Sequence, residues 1–192
     1  MTRFAPVSRF LVAAFAIAAV ATPSVASAQT VMGTFAMLPL VAGDTGVPYQ
    51  IFASKNERGE YGASIAAGIR KSYAGVQISD ARVARALTKA GIDQESPYRA
   101  CNDADCARRI GRSLHADTVV FGSVTRALSM IWGSEVSIVE VASGRVQGPY
   151  DLGYKGDFLT LKTGVGELSA AVSNRLIADA VDRNRGRTMA RR

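Results

Sequence analysis

The chain has 192 residues and a formal charge of +7; 48% of the residues are hydrophobic, 20% are charged, 7% are aromatic and two are cysteines. This composition excludes an acidic disordered chain, a collagen, a disulfide-dense mini-protein and a polytopic membrane protein. It is typical of one globular domain.

The first 28 residues have the pattern of a cleavable secretory signal. Two arginines precede a wholly apolar run at 11–21, and this run is shorter than the roughly twenty residues that a membrane-spanning helix needs. The small residues Ala26 and Ala28 predict cleavage after Ala28. We therefore expect an exported periplasmic protein that begins at Gln29 and keeps no transmembrane segment.

The basic charge is concentrated at the two ends of the chain. Two of the 23 basic residues lie in the signal and five follow Asp182, so the segment 29–182 carries 16 basic and 16 acidic residues. Without a basic stripe interleaved with aromatic residues, we expect no nucleic-acid partner. The arginine tail, residues 183–192, is predicted to be disordered and solvated. The alternative is an arm that docks on an acidic partner or lipid through Arg183, Arg185, Arg187, Arg191 and Arg192.

The segment 29–182 predicts a single domain of strands and helices without internal repeats. A short apolar run at 35–40 predicts a buried first strand, and the turn formers after it predict a variable loop over 43–59. From Tyr61 to Ala74 the apolar residues lie four apart, which indicates a helix. A short strand follows at 76–78.

Two helices, three strands and a last helix complete the predicted domain. The second helix is opened by Ser79 or Asp80 and ended by Gly91, and the third begins near Asn102 or Asp103. The remaining elements are a buried central strand, an antiparallel hairpin and the last helix, at 118–124, 131–141 with 146–154, and 163–181. This order predicts a mixed sheet covered by helices.

Cys101 and Cys106 are separated by four residues, and in an exported protein such a pair is expected to form a disulfide. The bond would fix the start of the third helix and contribute about 2 kcal/mol to stability. A redox or metal pair is the alternative, but redox catalysts favour two intervening residues and a tetrahedral metal site needs four ligands. Later in that helix, Gly111 would let backbone pass close to the sheet.

The sequence predicts neither a catalytic constellation nor a metal centre. The single histidine, His115, is expected to lie at the end of the third helix, where a cation meets the negative end of the helix dipole. The acidic residues near Cys101 resemble the opening of a calcium loop, but Ala107 and Ser113 stand where the loop needs glycine and glutamate. Trp132 is predicted to lie in the core, with an exposed partner anchor as the alternative.

Several features together resemble a known family: the cysteine pair, the segment from Ile110 to Asp117, and the strand pair 119–124 and 136–144. The chain is identified as a member of an uncharacterised family of small exported proteobacterial proteins, the domain of unknown function 2380. It is similar, more distantly, to the domain shared by the amino-terminal part of TolB, the curli secretion protein CsgG and the lipoprotein LpoB. The resemblance covers 34–181. It implies an α/β fold with a five-stranded mixed sheet and about four helices, docking to other envelope proteins and no known catalytic residue.

One part of the chain departs from the family pattern. Members carry an aspartate and a Gly-Asp step after the last hairpin, followed by a tryptophan. Asp151, Gly156 and Asp157 match this pattern, but Phe158 and Leu161 stand where the tryptophan is expected. The resemblance therefore transfers no site to this region.

These observations favour a non-enzymatic envelope protein that binds another protein through a sheet edge, the 43–59 loop or the arginine tail. The alternative is an accessory protein that binds a small ligand or a metal ion, with candidate oxygens on Asp103, Asp105, Asp151 and Asp157. A hydrolase is a third and weaker hypothesis, since it would rely on carboxylates alone. No cofactor is expected, and the sequence makes no prediction of the oligomeric state.

Overall fold

A computed structural model describes residues 32–44, 51–96, 99–128 and 130–189, without the side chains of Arg187 and Thr188. The predicted signal and its cleavage site lie outside the described residues, as do Arg191 and Arg192. Within the described ranges, no helix is both long and apolar enough to cross a bilayer.

The predicted mixed sheet is confirmed, with one additional short strand. The strands, in chain order, are β1 (Thr34–Met37), β2 (Val41–Ala42), β3 (Val76–Gln77), β4 (Thr118–Ala127), β5 (Ile131–Glu140) and β6 (Val146–Lys155). Their order in the sheet is β3-β1-β4-β5-β6, and β2 pairs with β4 just beyond the end of β1. The strands from β3 to β4 are parallel, whereas β4, β5 and β6 form an antiparallel meander.

Helices cover both faces of this sheet. They are α1 (Lys55–Ser72), α2 (Asp80–Lys89), α3 (Ala104–Leu114), α4 (Phe158–Thr163) and α5 (Val165–Met189). α1, α4 and α5 pack on one face, and α2 and α3 pack on the other. The second pair covers β1, β4 and the end of β5, so the outer half of that face, towards β6, stays exposed.

β4 is the central strand, as its β-branched sequence predicts. Residues from Thr118 to Val124 are all buried. Val120 and Val124 contribute to the core under α1 and α5, while Val119 and Phe121 contribute to the core under α2 and α3. Because side chains alternate between the faces of a strand, such a continuous apolar run requires cover on both sides.

The predicted 43–59 loop extends too far, because α1 begins at Lys55; residues 45–50 of this loop lie outside the described residues. The Ser54 side chain accepts a hydrogen bond from the Glu57 amide at 3.2 Å, and the Glu57 carboxylate accepts one from the Ser54 amide at 2.7 Å. This reciprocal capping box satisfies two donors that a helix start otherwise leaves unpaired. The segment 55–59 is therefore helical despite its charged composition.

The disulfide between Cys101 and Cys106 is confirmed, and it lies at the start of α3. Both cysteines are buried in the second core. Asp103 caps the helix by accepting a hydrogen bond from the Cys106 amide at 2.7 Å. The predicted close approach at Gly111 is also present, since a Cβ there would lie 2.5 Å from Val141 Cγ2. The cross-link and the glycine together hold α3 against the sheet.

The prediction of disorder from residue 183 onward is wrong for the described part of the arginine tail, because α5 continues through Met189. Its carboxyl-terminal half is held by what we call the charged end, composed of Glu140, Arg145, Arg175, Asp179 and Arg183. Asp179 is fully buried and accepts a hydrogen bond from Arg145 at 2.9 Å. Arg183 lies 3.8 Å from the Glu140 carboxylate. The ionic contact between Arg183 and the sheet thus lies beyond residue 182, where the domain was predicted to end.

We expect the C101A/C106A variant to lose about 2 kcal/mol of unfolding free energy while keeping its fold, because the short disulfide ring restricts the unfolded chain. Urea denaturation of the oxidised protein, the reduced protein and the variant measures this loss. The reduced protein should match the variant. Identical midpoints for all three would contradict a stabilising role.

Candidate functional site

The carboxyl ends of β1 and β3 lie side by side at one edge of the sheet. α1 follows β1 and packs on the first face, whereas α2 follows β3 and packs on the second. Adjacent parallel strands whose connections leave to opposite faces open a crevice between them, and ligands of open α/β sheets commonly bind there. We therefore expect a ligand site at this position.

A groove of about 560 Å³ occupies this crevice. Its apolar lining includes Met37 at the end of β1, Leu40 beyond it, Ala66 on α1 and Val83 on α2. Four charged side chains stand around it: Lys55 and Glu60 on α1, Asp80 at the start of α2 and Glu95 beyond α2. The groove therefore combines an apolar floor with a polar rim, as small-molecule sites do.

Arg58 organises one wall of the groove. Its side chain is 7% exposed. The guanidinium donates to the Leu40 carbonyl at 3.1 Å, to the Ala53 carbonyl, and to the Glu95 carboxylate at 2.6 Å. It thereby joins the segment after β1, the approach to α1 and the segment after α2. Since its donors are used by the protein, Arg58 acts as a structural clamp.

A buried tyrosine fixes α1 above the antiparallel strands. The Tyr61 hydroxyl lies 2.8 Å from Ser134 Oγ on β5. Burial raises the pKa of the Tyr61 phenol, and the hydrogen bond to Ser134 opposes this increase only partly. The phenol is therefore protonated at neutral pH and packs as a core residue with one polar contact.

Exposed apolar side chains gather at the same end of the sheet, and we call this set the apolar end. Phe52 is 55% exposed, and Leu128 and Met130 in the β4–β5 hairpin are each 57% exposed. The other members are Ile51, Ile131 and Leu159, which are 45%, 47% and 67% exposed. Large apolar side chains left exposed together at one end of a domain are typical of interaction sites.

Packing contacts connect the parts of the apolar end. Arg126 stacks on the Trp132 ring with its guanidinium carbon 4.7 Å from the ring centroid, and it lies 3.4 Å from the Glu57 carboxylate at the start of α1. On α4, Phe158 packs against Trp132 with a centroid distance of 5.3 Å. Trp132 itself is buried, as predicted. The exposed residues therefore sit on a rigid base.

The four aspartates that were candidate ligands do not form one site. Asp103 and Asp157 are N-caps of α3 and α4. The hydrogen bond from the Thr160 amide lowers the pKa of the Asp157 carboxyl. Asp105 lies in the first turn of α3, and Asp151 lies on β6 opposite Glu135. Among the described residues, no group of three or more His, Cys, Asp and Glu side chains could hold a metal ion.

The other candidate residues from the sequence lie at a helix end or on α5. His115 is the C-cap of α3 in the left-handed conformation, as expected of a helix terminus. Arg183 and Arg185 lie on α5, and the backbone of Arg187 continues that helix. The groove and Arg58 were not predicted from the sequence. The adjacent apolar residues Ile51 and Phe52 in a supposed loop were the one signal that could have indicated the apolar end.

Replacing Arg58 with methionine should lower the unfolding free energy by about 2 kcal/mol or more, because two buried carbonyl oxygens lose their donors. Urea denaturation measures the loss. The matched control is Glu95→Gln, which should cost less than about 1 kcal/mol because the Glu95 side chain is 45% exposed. Equal effects of the two variants would assign the clamp to the ion pair instead of the carbonyl contacts.

No family model and no curated protein matches this chain, so membership of the predicted family stays a prediction. Among solved structures, lipoprotein GNA1162 from Neisseria meningitidis is 16% identical over 76% of this chain and 96% of its own length, with a TM-score of 0.50. The LpoB C-terminal domain from Salmonella enterica is 16% identical over 67% of this chain and 87% of its own length, with a TM-score of 0.47. The PelC dodecamer from Paraburkholderia phytofirmans is 15% identical over 77% of this chain and 88% of its own length, with a TM-score of 0.42. The similarity to GNA1162 shows that the two chains share a fold.

Proposed function

We propose that this protein is an exported, non-enzymatic envelope protein that binds another protein through its apolar end. The observation that carries the proposal is the exposure of Phe52, Leu128 and Met130 on a packed base. Because each side chain is little more than half exposed, burying the remainder against a partner gains roughly 1 kcal/mol for each residue. Interfaces concentrate their affinity in a few apolar and aromatic anchors of this kind.

Two observations support export to an oxidising compartment. The disulfide between Cys101 and Cys106 is intact and buried, and such bonds persist outside the reducing cytosol. The signal pattern of residues 1–28 agrees with this location. In addition, the structure that shares the fold at a TM-score of 0.50 is described as a lipoprotein.

The non-enzymatic part of the proposal rests on how the chain uses its reactive side chains. The one histidine ends a helix and both cysteines are cross-linked. Asp103 and Asp157 cap helices, and Arg58 donates to backbone carbonyls. General acid–base and nucleophilic catalysis require such groups to face a substrate in a common site.

A second candidate function is the binding of a small ligand in the groove, and the position of the groove outside the carboxyl ends of parallel strands favours it. An elongated ligand with an apolar body and a polar end would match the lining. This candidate is compatible with the first, because the groove and the apolar end both adjoin the start of α1.

Partner binding predicts site-specific crosslinking in intact cells. A photo-reactive amino acid at Phe52 or Leu128 should give a discrete crosslinked species, whereas one at Val76 or Val146 should not. Val76 and Val146 are matched controls because they are 65% and 46% exposed but lie outside the apolar end.

The double variant L128S/M130S should abolish the Phe52 crosslink. Its unfolding free energy should change by only about 0.5 kcal/mol for each substitution, since both side chains are exposed. Crosslinks that form equally at all four positions, or that survive the double substitution, would contradict a specific apolar interface.

Ligand binding in the groove is tested by native mass spectrometry of the protein purified from its own cell envelope. Gly62→Leu should eliminate any bound small molecule, because a Cβ at Gly62 already lies 3.7 Å from Leu40 Cδ1 and a longer side chain would fill the groove. The control Gly166→Ala lies on α5 outside the groove, has open space around its Cβ and should retain the ligand. An absence of added mass in both proteins would contradict this second candidate.

A further inference from the structure

β6 forms one edge of the sheet, and its carboxyl-terminal half is open on two sides. Asp151, Gly153 and Lys155 are all exposed. A Cβ at Gly153 would meet no atom within 4 Å. The helices of the second face stop short of β6, and the first-face helices contact its other side chains, Leu152 and Tyr154. A long exposed edge strand is a ready template for pairing with another chain.

The ladder with β5 determines which backbone groups of β6 face outward. Gly156 donates its amide to the Met130 carbonyl at 2.7 Å, so these two residues form a hydrogen-bonded pair. Hydrogen-bonded and non-hydrogen-bonded pairs alternate along an antiparallel ladder. The next registered pair, Ile131 with Lys155, is therefore not hydrogen-bonded, and the same holds for Gly153 and Asp151. The N–H and C=O groups of Asp151, Gly153 and Lys155 therefore point away from β5, towards the open edge.

The charges on this edge are arranged symmetrically around Gly153. Asp151 lies two residues before it and Lys155 two residues after it. Within the chain, Asp151 is registered opposite Glu135, a like charge, and Lys155 is registered opposite Ile131. Like charges directly opposite each other destabilise a strand pair. Neither charged residue of β6 is thus registered opposite a countercharge on β5.

From this geometry we infer that β6 pairs antiparallel with β6 of a second copy of this chain, around a two-fold axis at Gly153. In this register Asp151 of each copy lies opposite Lys155 of the other. The outward backbone groups of residues 151, 153 and 155 meet their counterparts in hydrogen-bonded pairs. The interface is isologous, since one patch serves as both surfaces.

The charges distinguish this register from its neighbours. A two-fold axis at Asp151 would place two carboxylates opposite each other, and an axis at Lys155 would do the same for two ammonium groups. An axis at Leu152 leaves both charges without a countercharge.

With the axis at Gly153, Leu152 lies opposite Tyr154 of the second copy on the helix-covered face. Pro149 has no N–H group, so it limits the ladder beyond Tyr150.

The inference is tested by sedimentation velocity of the protein purified from its own cells over a range of protein concentrations. The unaltered chain should form dimers. The single variants D151K and K155D should each weaken self-association by about tenfold, because each turns two attractive pairs into repulsive ones. Misfolding does not explain a loss in D151K, since lysine at 151 would face Glu135 within the same chain.

Two restorations make the test specific for this register. The charge-swapped variant D151K/K155D should dimerise like the unaltered chain. A mixture of the single variants D151K and K155D should form heterodimers, because lysines on one copy then face aspartates on the other. Gly153→Pro should abolish dimers without disturbing β5, because the lost N–H points outward. A monomeric unaltered chain, or dimers that the single substitutions leave unchanged, would overturn the inference.

Discussion

The architecture depends on the burial of both faces of β4. Residues from Thr118 to Val124 are buried on both faces of the sheet. The strand is therefore stable only when helices cover both faces. α1 and α5 supply the first cover, and α2 with α3 supplies the second. This demand places the helix that follows β1 and the helix that follows β3 on opposite faces. The crevice at the carboxyl ends of β1 and β3 thus accompanies the covering of the central strand.

Much of the fold could be predicted because periodicity reports burial directly. The helical spacing after Tyr61, the β-branched run of β4 and the cysteine pair each have a local physical cause. The prediction failed where tertiary contacts decide. The turn formers and charges before Tyr61 suggested a loop, yet the capping box at Ser54 starts a helix there. The arginines after Asp182 suggested a solvated tail, yet contacts with the sheet extend the helix.

The candidate site was harder to predict because it is assembled from distant segments. Leu40, Ala53 and Glu95 are joined by the Arg58 guanidinium, and their spacing along the chain gives no sign of this. The two ends of the sheet also differ in chemistry. One end presents Phe52 and the hairpin residues to solvent, while the opposite end is closed by ionic contacts. Of the aspartates chosen from the sequence, Asp103 and Asp157 cap helices instead of contributing to a shared site.

The position of Arg183 changes how the carboxyl terminus can be studied. A chain shortened after Asp182 would lose the last turns of α5 and leave Glu140 without one of its two cationic neighbours. Any loss of binding after such a truncation would then combine a weakened scaffold with missing arginines. Neutralising only Arg191 and Arg192, which follow the described helix, would separate the contribution of the terminal charge from that of helix anchoring.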